Sequence, residues 1–387
     1  MAIAAAFPYI QVTINTQGMT PTAVRSPGVV AIVGVAATGS ADANVPTMVT
    51  DSKEAAALFA SRNASGEVVP TLLYTALEAV FKQDPAPYKV YGVKVAAGGH
   101  GGGLAALEAI DDVTVVALAG VSTVGSEATA TAGPTGLHQL KDHVERVSSD
   151  GNRRIGVAMV DPTLARADFV GKAIGDYASL KSASSRMVLV AARGATSDVA
   201  AATAGAIAGY RPHVSMLLKQ IRGPQIPLEL QFSPSEIRKL SEANIIPIID
   251  PALIPGDGLF FGDGRAFTSD VSRLYVDVVR TLDDIEFRLR AGLIGLVGDA
   301  RVTKSGLIRL KTRIESILEP LEREDVITSF DIAIPVLDIV SRPESTWTPG
   351  EAGMVVKARG DRALDVTVVV KYGPAIHRLD VTLAMKF

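Results

Sequence analysis

The 387-residue chain contains no cysteine, which removes disulfides, thiolate nucleophiles and cysteine-based zinc or iron–sulfur sites together. Aromatic residues make up only 5% of it, and tryptophan occurs once, at Trp347. That is too little for a platform on which successive bases stack, and Trp347, set among Pro343, Thr348, Pro349 and Gly350, reads as a loop anchor. Positive charge is not in excess either. The net charge is −3, and without a basic field no nucleic-acid partner is expected. No apolar run approaches the roughly 20 residues of a membrane helix, so no membrane partner is expected. Residues 1–8 lack the basic start and apolar core of a secretion signal, and the chain is expected to be made and kept in the cytoplasm until assembled or released.

Motifs for chemistry are equally scarce. No G-x-x-x-x-G-K-[ST], H-E-x-x-H, G-x-S-x-G or EF-hand pattern occurs. The five histidines are His100, His138, His143, His213 and His377. His138 and His143 stand five apart, so on a helix they diverge and do not easily share a metal; they read as surface residues. Asp257-Gly258 and Asp263-Gly264-Arg265 lack the alternating oxygen ligands and closing Glu of a calcium loop and read as tight turns. No catalytic residue and no metal ligand is expected. One cluster, Gly98-Gly99-His100-Gly101-Gly102-Gly103, lies between a strand pattern and a helix pattern, as dinucleotide sites do. The G-x-G-x-x-G fingerprint fails there, because Leu104 stands at its third glycine and Leu118-Ala119-Gly120 occupy the place of the ribose-binding acid. The cluster reads as a flexible turn with no cofactor. A dinucleotide-dependent oligomeric enzyme with an α/β domain is the alternative reading of the chain.

Hydrophobic residues make up 48% of the chain and charged ones 20%, a composition for folded domains of ample core. From residue 21 to 255 short apolar runs alternate with amphipathic stretches, which predicts an α/β domain with a mostly parallel sheet. Strands are expected at 29–35, 88–95, 113–118, 155–160, 187–191 and 245–249. Helices are expected at 52–60, 71–83, 104–110, 137–147, 163–180, 197–210 and 234–242, with start signals at Asp51 or Ser52 and at Ser233-Pro234-Ser235-Glu236. Residues 120–136, rich in Ser, Thr, Ala and Gly, read as a long exposed loop. The Pro/Gly cluster at 250–258 marks a boundary near 255.

The remainder, 256–387, reads as an α+β assembly domain. Over 269–296 an apolar stripe runs through Val271, Leu274, Tyr275, Val278, Leu282, Ile285 and Leu289. Arg273, Asp277, Arg280, Asp284 and Arg288 follow at near four-residue spacing; they read as a solvated, self-paired face or as a charged docking surface for a tube or a lattice neighbour. A second amphipathic helix covers 305–321, and strands are expected at 327–334 and 355–358. Both chain ends alternate with period two. Ile10, Val12 and Ile14 do so within an N-terminal arm, 1–20. Leu364, Val366, Val368, Val370 and Tyr372, then Leu379, Val381, Leu383, Met385 and Phe387, do so within a terminal arm, 364–387. Ends fray unless tied down, so terminal strands predict pairing with a sheet, including one in a neighbouring subunit.

Taken in order and spacing, several segments resemble the tail sheath proteins of contractile phage tails and related injection systems. They are Ser26-Pro27-Gly28-Val29-Val30-Ala31-Ile32-Val33-Gly34, Pro46-Thr47-Met48-Val49-Thr50-Asp51-Ser52-Lys53-Glu54, Arg154-Ile155-Gly156-Val157-Ala158-Met159-Val160-Asp161-Pro162 and Ser185-Arg186-Met187-Val188-Leu189-Val190. Gly262-Asp263-Gly264-Arg265-Ala266-Phe267 resembles the family's glycine–arginine turn, with Ala266 standing where a threonine-containing turn would match better. Residues 275–285 and the terminal strands resemble the closing domain. The resemblance implies a non-enzymatic structural subunit without cofactor. Such a subunit stacks as hexameric rings around an inner tail tube protein, meets baseplate and tail terminator proteins, and shares strands between neighbours. Its lattice shortens to drive the tube through a target envelope. A virion tail or injection particle assembled in the bacterial host cytoplasm is the implied location, and a self-assembling tube that does not contract is a third reading.

Overall fold

The computed structural model describes residues 28–37, 39–130, 132–254 and 258–377. Among these the chain forms two compact units, one of residues 28–286 with 372–377 and one of residues 287–371. The division falls beyond the Pro/Gly cluster at 250–258, because the chain after that cluster still contributes to the larger unit.

The larger unit opens with strands β1 (Val29–Val35) and β2 (Pro46–Val49), helix α1 (Ser52–Phe59), the small hairpin β3 (Ser61–Arg62) and β4 (Val68–Val69), and α2 (Leu72–Phe81). It continues through β5 (Lys89–Val95), α3 (His100–Ala106), β6 (Val115–Leu118), α4 (Leu137–Ser149), β7 (Ile155–Met159), α5 (Phe169–Gly175), β8 (Met187–Ala191) and α6 (Val199–Gly209). Then follow β9 (Gln220–Ile221), α7 (Pro234–Glu242), β10 (Ile246–Ile249), β11 (Leu259–Phe261) and α8 (Val276–Leu293), whose residues from Phe287 belong to the smaller unit.

Nine of these strands form one sheet in the order β2-β5-β1-β6-β7-β8-β10-β11-β9. The run from β5 to β10 is parallel, while β2 pairs antiparallel with β5 at one edge and, at the other, β11 pairs antiparallel with both β10 and β9. A parallel sheet is covered on both faces, which is why its strands are continuous apolar runs. In β1, Val30 and Ile32 enter one core with Phe59, Leu73, Leu77 and the alanines of α6. Val29, Ala31 and Val33 enter the other with Leu104, Leu140, Phe169 and Leu240. The mostly parallel α/β sheet expected from the sequence is present.

Local signals explain most boundaries. Asp51 caps α1 by accepting from the Lys53 and Glu54 N–H groups, and Ser233 and Glu236 form a capping box at α7 with Pro234 in its first turn. Two helices differ from expectation. The 163–180 pattern is broken: Asp161 folds back onto the Thr163 N–H and hydroxyl, and only Phe169–Gly175 is α-helical. The glycine cluster is not a free turn, since α3 begins at His100 and takes Gly101–Gly103 into its coil.

The smaller unit contains α9 (Lys304–Arg323), β12 (Ile327–Ala333), α10 (Pro335–Val340), α11 (Pro349–Asp361) and β13 (Thr367–Tyr372), of which Tyr372 counts with the larger unit. Its core gathers Leu307, Ile314, Ile317 and Leu318 of α9 with Ile327, Ile332, Val336, Leu337 and Val355. The strand expected at 355–358 is a helix. Thr348 and Glu351 make a capping box with Pro349 in the first turn, and that start signal decides a short apolar run which suits either structure. Trp347 donates its indole N–H to the Arg342 carbonyl at 3.3 Å beside this cap.

Candidate functional site

Three places follow from the sequence reading: the glycine cluster with the sheet's C-terminal edge, the charged stripe of α8, and the strands near the chain ends.

At the glycine cluster, packing accounts for the composition. A Cβ on Gly103 would lie 2.6 Å from Val95 Cγ1 and 2.7 Å from Val33 Cγ1, so glycine lets α3 close on the sheet. Leu104, at the fingerprint's third glycine, is 2% exposed in the core. A cavity of about 260 Å3 does open beyond the C-terminal ends of β6, β7 and β8, lined among others by Leu72, Gly120, Met159, Ser197 and Asp198. Ligands of open α/β sheets bind in such crevices. Here the anion position at the start of α6 is filled by the chain itself: Asp198 accepts from the Ala201 N–H at 2.9 Å and the Gly120 N–H at 2.7 Å. Burial pushes this carboxyl up, opposed by those backbone hydrogen bonds.

The histidines correct the surface reading. His138 is 4% and His143 2% exposed, because the face of α4 that carries Leu140 and Val144 packs on the sheet. His138 Nε2 lies 3.0 Å from Ser179 Oγ, and His143 Nε2 lies 3.0 Å from the Arg154 guanidinium. Burial, reinforced by the Arg154 charge, lowers the His143 pKa to about 4, so the ring is neutral and accepts from Arg154. Among the described residues no group of His, Asp and Glu is arranged to hold a metal.

The charged stripe is also corrected. Asp277, Arg280 and Asp284 are 3%, 7% and 7% exposed, whereas Leu282 and Val271 of the supposed apolar stripe are exposed. The reason lies in partners that distant segments bring to α8, for these residues and for Asp283 and Glu286 beside them. Arg186, just before β8, holds Asp283 through two bonds of 2.6 and 2.9 Å. Arg153, two residues before β7, holds Glu286 at 2.7 and 3.2 Å. Arg280 donates to the carbonyls of Tyr210 and Arg211 at 2.8 and 3.3 Å, and Asp277 accepts from the Tyr372 hydroxyl at 2.7 Å. Paired charges on α8 therefore face protein. Arg273, bonded to Asp270 at 2.9 Å, and Arg288 remain half-buried. Arg153 and Arg186 were missed as ion-pair partners, and Arg154 as the donor to His143, their one sequence signal being their place at strand starts.

In the smaller unit β12 and β13 form a two-stranded sheet, and among the described residues neither has another strand beside it. Thr328 Oγ1 donates to the Lys371 carbonyl at 3.2 Å across the pair. Val368 and Val370 are half-buried while Thr367, Val369 and Lys371 are exposed, and Val366 precedes the strand, half-buried on the same alternation. A pair this small is marginal alone, and the edge N–H and C=O groups of such a pair are a template for further strands. Ile10, Val12, Ile14, Leu379, Val381 and Leu383 lie outside the described residues.

No protein-family model and no curated protein matches this sequence. Solved structures do match over its length. The sheath complex of an extracellular contractile injection system in the contracted state aligns at TM-score 0.70 and 12% identity, covering 100% of this chain and 99% of that one. The contracted helical sheath of the anti-feeding prophage aligns at 0.65 and 14%, covering 100% of both. A sheath tail protein from Desulfitobacterium hafniense aligns at 0.55 and 12%, covering 85% of this chain and 93% of that one. The chain thus has the fold of contractile sheath proteins. These neighbours are structural components of such particles, and the dinucleotide-enzyme alternative finds no support.

Proposed function

We propose that this chain is the repeating subunit of a contractile sheath, polymerising as stacked hexameric rings around an inner tube and shortening to drive the tube through a target cell envelope. The observation that carries this reading is the full-length correspondence with sheath chains in the contracted state. It is supported by the β12–β13 pair, which among the described residues has no further strand at its edges.

In this reading the smaller unit is the linking element. Ile10, Val12 and Ile14 of one neighbour and Leu379, Val381 and Leu383 of another extend the sheet that holds Val366, Val368 and Val370, so subunits stay joined while the lattice slides. The larger α/β unit faces outward. Arg273 and Arg288, which keep partial exposure, serve as contacts to the tube or the lattice. Tube, baseplate and terminator proteins are the partners, and assembly takes place in the bacterial host cytoplasm. Energy is stored in a metastable extended lattice, which needs neither a cofactor nor nucleotide turnover.

Electron microscopy of the purified chain tests this. Hollow tubes or ring stacks forming without added ligand are expected. A species that stays monomeric at high concentration under several salts would sink the reading, and tubes with a single lattice and no shorter form would indicate a non-contracting assembly.

A further inference from the structure

Among the described residues, the hydrogen bonds that hold the stretch from Tyr372 to His377 beyond β13 are made by side chains. Tyr372 donates to Asp277 Oδ2 at 2.7 Å in the first turn of α8. Five residues on, His377 Nε2 lies 2.8 Å from Ser215 Oγ, and its ring meets Tyr275 edge-on with centroids 4.6 Å apart. Residues 373–377 make no backbone hydrogen bond among the described residues, and Ile376 is 82% exposed. Two pins thus hold an otherwise unsupported strap.

Both pins stand on firm ground within the larger unit. Ser215 Oγ also accepts from the Leu217 N–H at 3.3 Å, and a Cβ on Gly264 would lie 3.2 Å from that hydroxyl, so glycine leaves room for the serine turn. Tyr275 is fixed by the short ladder that pairs 264–266 with 274–276: Ala266 N–H donates to the Leu274 carbonyl at 2.7 Å and Val276 N–H to the Gly264 carbonyl at 3.0 Å. Asp277 is 3% exposed, and a buried carboxylate that lost the phenol would be left short of a donor.

We propose that Tyr372 and His377 form a two-point clasp that fixes where the C-terminal segment leaves the larger unit. Its use rests on the strand-sharing function proposed above. A pull on the terminal segment from a neighbour is then borne by α8 and the 215–217 turn, and does not peel the strap away from residue 377 back to β13. Without the clasp, each arm carries slack.

Trypsin reads the clasp directly, since Lys371 precedes the strap and cleavage of a transiently opened segment tracks its open population. The full chain would be digested before any assembly as wild type, Tyr372→Phe, His377→Ala and the double variant, with circular dichroism confirming the fold. Each lost contact should raise cleavage after Lys371 about fivefold, and both together about twenty-five-fold. Equal rates in wild type and double variant would overturn the clasp; if the double variant fails to fold, unchanged rates in both single variants do the same. Tube formation plays no part in this measurement, so a wild type that makes no tubes would remove the sheath reading and leave the cleavage ratios standing.

Discussion

Arg186 and Asp283, 97 positions apart, form a two-bond ion pair whose side chains are 7% and 8% exposed. It joins the start of β8 to the middle of α8, with Arg153 and Glu286 pairing one turn further along the helix. The Arg186 and Asp283 charges are thereby withdrawn from water and depend on each other for compensation, while Arg153 and Glu286 stay partly exposed.

Removing one member of the buried pair should therefore cost far more than removing both. Arg186→Met is expected to lose about 3–5 kcal/mol in urea unfolding. Arg186→Met with Asp283→Leu should recover most of that loss. A single variant within about 1 kcal/mol of wild type would mean that the pair is solvated.

Stability should fall in mild acid through His143. Its folded pKa, about 4, lies below the ordinary 6.5, so the unfolded chain binds the proton more readily. The contribution is complete above pH 6.5 and is lost as pH falls towards 4, by up to about 3 kcal/mol. His143→Gln, whose amide oxygen can still accept from Arg154, should flatten the unfolding free energy across that window. An unchanged slope would show that other groups govern it. Glu236, held near 2 by its bond to Arg193, acts lower, its contribution present above about 4.5 and lost towards 2.

Two glycines of one helix should respond in opposite directions. A Cβ on Gly103 meets valine methyls at 2.6 and 2.7 Å, whereas one on Gly101 finds its nearest atom, Gln139 Nε2, at 3.9 Å. Gly103→Ala is expected to lose about 1–3 kcal/mol, and Gly101→Ala to gain up to about 1 kcal/mol from helix propensity. Equal effects in thermal melts would refute the packing account of the cluster. NAD, NADP and ATP should leave the wild-type melting temperature in place, since a ligand at 100 times its Kd adds about 2.7 kcal/mol.

Proline at Val381 separates strand sharing from ordinary sheet structure. Proline removes a ladder donor and is tolerated only at edges or bulges. Val381→Pro is expected to keep the circular dichroism spectrum while abolishing tubes. Tubes that persist would exclude pairing through this arm, and a variant that unfolds would place the strand in its own subunit's core.

Much of the fold was legible in short-range pattern. Val29–Val35 and Met187–Ala191 match their expected bounds residue for residue, because a strand buried on both faces is a continuous apolar run. Pro234–Glu242 matches as well, through its capping box. The alternation from Leu364 to Tyr372 survives as alternating burial, since a pleat sends successive side chains to opposite faces. Val355–Ala358 was not legible, because so short a run as Val-Val-Lys-Ala fits either structure until the Thr348–Glu351 cap, seven residues back, is weighed.

By itself, then, the sequence determined the elements, the parallel sheet, the pairing-competent strand and the absence of a phosphate-binding fingerprint, all of which rest on neighbours within a few residues. Only the tertiary structure decided which face of α8 is inside. Charges spaced three and four apart look alike whether they meet water or guanidinium groups. The partners here, Arg153 and Arg186, come from strands more than 90 positions away, and a periodicity cannot say what the fold brings opposite it. Asp198 closing its own helix end, and His143 staying neutral against Arg154, were decided the same way, by groups that meet only once the chain has folded.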